Sequence, residues 1–240
     1  MRTSIALAAL IAASAAVSGC NRHENLGPMV SRSFPVGAFD QVEAAGPFDI
    51  TIHTGVAPSV QARGNQSLLD NLQVDVENGT LRIRPRGRHN FFSFSLHPGK
   101  ADIDITVPAL KAATAAGSGD VHIDKVQGNS FEGKMAGSGD LTIDSADVGS
   151  FKLTVAGSGD AGVKSGKAQL ADYGIAGSGD VDTSNMTTQD VKISIAGSGD
   201  VKAHATGTAD VSVMGSGDVT VTGGAKCSIN KAGSGDVDCS

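Results

Sequence analysis

The sequence predicts an all-β protein: a parallel β-solenoid with rungs of about 20 residues and an irregular N-terminal β cap. The tetrapeptide Gly-Ser-Gly-Asp occurs seven times, at intervals of 20, 20, 20, 20, 18 and 18 residues. Apolar and polar residues alternate on both sides of each copy, which is the period of a half-buried strand. Glycine supplies 32 of the 240 residues and aromatic residues only 4%, a composition that favours short strands and tight turns.

Residues 1–19 are typical of a bacterial secretion signal. Arg2 precedes an apolar run over residues 5–17, which is too short to anchor stably across a hydrocarbon core of ~30 Å. The run ends in Val-Ser-Gly-Cys, which resembles a lipobox and predicts lipidation at Cys20. An ordinary signal peptide with an incidental cysteine is the alternative. Asn21 resembles an outer-membrane sorting signal.

The mature chain begins with a polar segment, 20–32, that we interpret as a tether. Without Arg2 the chain has 18 basic and 25 acidic residues, hence a net charge of −7. This acidic balance argues against a nucleic-acid partner.

Residues 33–110 are β-rich but less regular, and we interpret them as capping rungs that cover one open end of the solenoid. Strands are predicted at 48–53 and 101–107, and a helical turn at 67–72. The Asn78-Gly79 pair predicts a hairpin over 72–86, because Asn-Gly favours the tight turn of a two-residue loop.

Residues 111–240 carry the Gly-Ser-Gly-Asp rungs, each predicted to contain two short strands. A meander of β-hairpins is one possible arrangement. A parallel solenoid is the better one, because it stacks each residue type over its equivalent in the next rung. Two glycines per turn permit positive φ and close approach between rungs. Small inward residues suit a narrow lumen, which accounts for the scarcity of aromatic residues.

Three stretches carry a family resemblance: FDQVEAAGPFDITIHTG, SLLDNLQVDVENGTLRI and IDITVPALKAATAAGSGDV. In this order they resemble the putative auto-transporter adhesin, head GIN domain family, over about residues 33–240. The resemblance implies a right-handed β-helix-like fold in a bacterial envelope protein, and it implies no catalytic residues.

Each repeat ends in an aspartate, and stacking would place these carboxylates ~5 Å apart, where they repel. Turn caps for local backbone N–H groups are one interpretation, and a calcium site is the alternative. The seven aspartates, here called the Asp column, are Asp120, Asp140, Asp160, Asp180, Asp200, Asp218 and Asp236.

Cys227 and Cys239 lie on the inward phase, six residues before and six residues after Gly233, the first residue of the last Gly-Ser-Gly-Asp. In an oxidising compartment such a pair predicts a disulfide, and two buried free thiols are the alternative.

A run of alternating arginines and a following aromatic cluster are the candidate binding surface. The arginines could bind phosphate or carboxylate groups through hydrogen bonds. Alternatively, they could form a solvated strand face that discourages pairing of this strand with another sheet edge. The phenylalanines could pack on the first rungs or contact a partner. The residues are Arg82, Arg84, Arg86, Arg88, Phe91, Phe92 and Phe94.

The six histidines lack metal-ligand spacing, and no phosphate-binding loop, dinucleotide fingerprint or nucleophile elbow occurs. We therefore expect no enzyme activity and no cofactor. The expected function is that of a non-catalytic scaffold for binding or adhesion, lipid-anchored in the outer membrane, with an envelope glycan or protein as partner. The alternatives are a polysaccharide-active β-helix enzyme and a calcium-dependent structural module.

Overall fold

The computed structural model describes residues 27–86 and 101–240, which lie almost entirely in β-strands. The part before the repeats contains one short helix, α1 (Gln66–Asp70). Its strands are β1 (Met29–Phe34), β2 (Gln41–Ala45), β3 (Phe48–Thr54), β4 (Ser59–Asn65), β5 (Leu72–Glu77), β6 (Thr80–Pro85), β7 (Ala101–Val107) and β8 (Ala112–Gly117).

The repeat part consists of longer strands, several of which bend within one rung. They are β9 (Val121–Gly137), β10 (Leu141–Gly157), β11 (Ala161–Val163), β12 (Gly166–Gly177), β13 (Val181–Gly197), β14 (Val201–Gly215), β15 (Val219–Thr222), β16 (Lys226–Gly233) and β17 (Val237–Cys239). Consecutive rungs pair in parallel, with each residue opposite its equivalent 20 or 18 positions away.

The predicted parallel β-solenoid is confirmed, with about six turns. The 20-residue rungs have three straight segments rather than the two predicted, whereas the rung formed by β15 and β16 has two. In β9 the three segments cover 121–123, 125–128 and 130–137, and pairing with β10 is interrupted between them. We call these positions the first, second and third sides. The second side was missed because Lys-Val-Gln-Gly is too short to display an alternating pattern.

The N-terminal part adds further strands to two sides of the solenoid. On the first side β3 and β7 pair in parallel above β9, and β4 and β1 then follow antiparallel. On the third side β8, β2 and β6 are parallel, and β5 closes the sheet antiparallel. Leu68 and Leu69 of α1 are buried in the core.

Two sequence predictions for this cap can be compared directly with the observed strands. The hairpin of β5 and β6 is confirmed, with positive φ at both Asn78 (52°) and Gly79 (78°). The predicted tether 20–32 extends too far, since β1 begins at Met29 and pairs with β4. Residues 29–32 therefore belong to the sheet, where Arg32 binds the carbonyl oxygen of Leu69.

The lumen is lined by stacked apolar residues, and it also contains aromatic side chains. Phe131 and Phe151 stack with ring centroids 5.7 Å apart, and Tyr173 meets Phe151 edge to face at 6.4 Å. All three rings are buried. The narrow lumen predicted from the scarcity of aromatic residues thus still accommodates rings in these rungs, where the small residue Gly133 lies beside Phe131.

The Gly-Ser-Gly-Asp corner brings successive rungs close together. Gly137 has a φ of 139°, and a Cβ atom there would lie 1.9 Å from the carbonyl oxygen of Gly117. A Cβ at Gly139 would lie 2.1 Å from the carbonyl oxygen of Gly119. Because both contacts are with backbone atoms, neither position accepts a side chain without moving a rung.

Candidate binding surfaces

The Asp column occupies the exposed corner of the solenoid, beside a parallel row of exposed serines. Each carboxylate except that of Asp236, the last of the column, accepts a hydrogen bond from the backbone N–H of the aspartate in the next rung. The distances from N to Oδ1 run from 3.0 Å between Asp140 and Asp120 to 2.7 Å between Asp236 and Asp218. The carboxylates thus cap the neighbouring rung, whereas the sequence predicted caps within their own turn.

These hydrogen bonds offset the repulsion between stacked carboxylates. One oxygen of each accepting aspartate is committed to a backbone donor of the next rung. Among residues 27–86 and 101–240, no three His, Cys, Asp or Glu side chains are grouped so that they could hold a metal ion.

The described arginines of the predicted binding strand face carboxylates of the protein itself. Arg82 pairs with Glu77 and lies 3.3 Å from Glu43. Arg84 lies 3.4 Å from Asp75. An anion would have to displace these partners, so the structure favours the solvated-face interpretation for both.

The remaining predicted surface residues are placed as follows. Arg86 is exposed, and its backbone N–H bonds to the carbonyl oxygen of Asn71. Outside the described residues lie Arg88, Phe91, Phe92, Phe94 and Cys20.

Charged side chains on the first side form a small network. His122 Nε2 lies 2.9 Å from Asp144 Oδ2, and Lys164 Nζ lies 2.9 Å from Asp144 Oδ1. Hydrogen bonds from His122, and then from Lys164, hold the pKa of Asp144 below its ordinary value. This network ties together three consecutive rungs.

The third side carries a column in which charges alternate in sign from rung to rung. Glu132 Oε1 lies 3.6 Å from Lys152 Nζ in the next rung and 3.0 Å from Lys134 Nζ in its own strand. The hydrogen bond from Lys134 is the main cause of the lowered pKa of Glu132. Opposite charges stacked in register support the observed pairing of rungs. The column consists of Glu132, Lys152, Asp172, Lys192 and Asp210.

A groove of about 420 Å³ follows the edge between the second and third sides. Exposed polar residues border it in two columns, and the backbone of the buried residues Val148, Ala168 and Thr188 forms its floor. A second depression, of about 330 Å³, runs beside the Asp column. Neither concavity is predicted by the sequence, because a concavity depends on how the rungs bend.

One sequence signal does coincide with the groove. The repeat interval falls from 20 to 18 residues between Gly197 and Gly215. The pairing of β13 with β14 is irregular between Thr183 and Thr187 and again between Thr188 and Asp190. The shorter rung therefore breaks the regular stacking at the floor of the groove.

The C-terminal rung contains the predicted cysteine pair. The structure joins Cys227 and Cys239 by a disulfide, with Cα atoms 6.6 Å apart. Lys231 Nζ also donates a hydrogen bond of 2.7 Å to the carbonyl oxygen of Gly235. Both interactions connect β16 to the segment that follows the last turn.

A search for membrane-spanning helices over residues 27–86 and 101–240 finds none of sufficient length and hydropathy.

Comparison with solved structures finds the same architecture elsewhere. A putative adhesin from Bacteroides fragilis superposes with a TM-score of 0.78 at 25% identity, covering 89% of this chain and 97% of that chain. A putative lipid binding protein from Parabacteroides distasonis gives 0.68 at 24% identity, with the same coverage. A putative adhesin from Parabacteroides merdae gives 0.69 at 16% identity, again with 89% and 97% covered.

No match is found among curated proteins. The sequence model of one family matches residues 38–225, which include the cap, the hairpin and most of the Gly-Ser-Gly-Asp rungs. This match spans well over half of the chain and agrees with the solenoid architecture. The chain belongs to the putative auto-transporter adhesin, head GIN domain family.

Proposed function

We propose that this protein is a non-catalytic scaffold for binding or adhesion in the bacterial cell envelope. The observation that carries the proposal is the rigid corner: backbone contacts and carboxylate hydrogen bonds hold exposed side chains of successive rungs at fixed spacing. Preorganised side chains bind with a smaller loss of conformational entropy. The family description and the adhesins from Bacteroides fragilis and Parabacteroides merdae support the same function.

Beads coated with the full-length protein in detergent test this function. Beads carrying the folded protein are expected to attach to isolated bacterial envelopes. Beads carrying the same amount of heat-unfolded protein are the control and should attach at background level. Equal attachment of the two preparations, or no attachment of either, would contradict the proposal.

We further propose that Cys20 carries a lipid anchor in the outer membrane. The lipobox-like sequence supports this, and acyl chains give a polar solenoid a stable membrane attachment. A Cys20→Ala variant should move from the membrane pellet to the soluble fraction, whereas Ser18→Ala, which keeps the thiol, should stay in the pellet. A Cys20→Ala protein that still sediments with membranes would rule out the anchor.

Protease treatment of intact cells addresses which side of the membrane the solenoid faces. An adhesion surface directed outwards should be cleaved in intact cells. A solenoid that is cleaved only after the outer membrane is permeabilised would place the binding function in the periplasm.

A further inference from the structure

We propose that the groove between the second and third sides binds an uncharged, hydroxyl-rich chain, that is, a neutral glycan. The inference rests on the proposed binding function and specifies its site and ligand class. The groove crosses four rungs, which at ~4.8 Å per rung gives a length of about 14 Å. Its volume of about 420 Å³ lies within the range of small-molecule sites.

The polar side chains around the groove are available to a ligand. The side chains of Gln169, Thr187 and Gln189 are exposed and make no hydrogen bond to any described residue. Amide and hydroxyl groups both donate and accept hydrogen bonds, as sugar hydroxyls do. Such groups on both borders of the groove can therefore form hydrogen bonds with a hydroxylated ligand from two sides.

The charge around the groove selects against ionic ligands. Asp147 and Lys167 are its charged residues, and they face each other with Oδ1 and Nζ 3.6 Å apart. Their charges cancel, so neither a polyanion nor a polycation gains a net electrostatic attraction here. Both residues stand in one border of the groove, and the floor beside them is formed by the backbone of the buried residues Val148 and Ala168.

The floor also argues against an extended peptide. A peptide strand binds a sheet through backbone groups that have no partner. Here Val148 pairs with Ala168, and Ala168 pairs with Thr188, within parallel ladders. The backbone of Val148 and Ala168 is thus engaged in these ladders, which favours recognition by side chains over addition of a strand.

The break in the repeat supports a specialised role for this edge. The rung between Gly197 and Gly215 is two residues shorter, and Thr206 of that rung borders one end of the groove. Departures from a regular architecture occur preferentially where function requires them.

An array of printed oligosaccharides tests the inference. Full-length protein in detergent is expected to bind uncharged oligomers of glucose, galactose, mannose or N-acetylglucosamine in preference to sulfated, uronic-acid or deacetylated amino-sugar oligomers. The double variant Gln169→Ala/Gln189→Ala should lose about tenfold in affinity or more, because it removes two hydrogen-bonding groups. Gln61→Ala, an exposed glutamine of β4, is the matched control and should bind like the wild type.

The outcomes separate this inference from the proposed function. Absence of binding to uncharged oligosaccharides, or equal binding by the wild type and the double variant, would overturn the glycan site. A preference for random peptides that the double variant abolishes would overturn the ligand class. If beads coated with the folded protein still attach to envelopes, either of these results overturns the glycan site and leaves the adhesion function intact. If the folded wild-type protein fails to attach to envelopes, the adhesion function itself is contradicted.

Discussion

Tyr173 buries its phenol hydroxyl in the lumen without a hydrogen-bond partner among the described residues. Burial raises its pKa, and the Thr183 side chain, which lies outside hydrogen-bonding geometry and donates to the carbonyl oxygen of Lys202 instead, opposes the shift only in part. A buried hydroxyl without a partner costs about 1–3 kcal/mol. We therefore expect Tyr173→Phe to leave the free energy of unfolding unchanged or to increase it, as measured by urea unfolding. Tyr173→Ala should lower it by about 3–5 kcal/mol, and a destabilised Tyr173→Phe would indicate a hydrogen bond that the structure lacks.

Asp144 is a single residue that makes the free energy of unfolding decrease as the solution becomes acidic. Its pKa is lower in the folded chain than its ordinary value of 3.8, owing to His122 and then Lys164. The unfolded chain therefore takes up the proton first as pH falls. The stabilisation is complete above this ordinary value and is lost as pH drops through the folded pKa. It is small, because the side chains are partly exposed.

The Asp144→Asn variant tests this assignment. Its free energy of unfolding, measured in urea at pH 5 and at pH 3, should fall less with acid than that of the wild type. His122→Gln should have a partial effect in the same direction. An identical pH dependence for Asp144→Asn and wild type would show that the network does not stabilise the fold.

At the scale of the element, the Gly-Ser-Gly-Asp corner tolerates no side chain at its second glycine. A Cβ at Gly179 would lie 2.0 Å from the carbonyl oxygen of Gly159, whereas a Cβ at Gly174 has its nearest neighbour 3.9 Å away. Gly179→Ala should therefore destabilise the protein by about 3 kcal/mol, and Gly174→Ala should be neutral or slightly stabilising. Thermal unfolding of both variants, which alter the same rung, distinguishes steric exclusion from a general intolerance of alanine.

The disulfide determines the stability of the last rung. Joining residues 12 apart should contribute about 2–3 kcal/mol. Because each rung contacts only its neighbours, the double variant Cys227→Ser/Cys239→Ser should lose hydrogen-exchange protection mainly in β16 and β17. Ser228→Ala is the control in the same strand. Thiol titration of the denatured protein should reveal two additional thiols on reduction, and equal counts would exclude the bond.

At the scale of the whole molecule, the Asp column runs along the solenoid and is the feature most open to interpretation as a calcium site. The hydrogen bonds from one rung to the next already engage Oδ1 of these carboxylates. We expect no measurable change in Tm when calcium replaces magnesium at the same ionic strength, and no heat in a calorimetric titration. A Tm that rises with calcium concentration would instead indicate binding to the folded state.

The sequence alone determined the period of the solenoid, the register of its rungs, the corner glycines and the Asn78-Gly79 hairpin. These follow from local patterns, because a residue type that recurs every 20 positions stacks on itself. Only the tertiary structure decided that β1 extends the sheet from Met29 and that the lumen holds an aromatic stack. It also decided that the 20-residue rungs have three sides.

The same division applies to the candidate site. Arg82 and Arg84 are prominent in sequence, yet partners from other positions neutralise them. Gln169 and Gln189 carry no motif, and they border the groove because the rungs bend there. Spacing along the chain reports which residues share a phase, whereas charge pairing and concavity depend on distances across the fold, which a one-dimensional pattern does not contain.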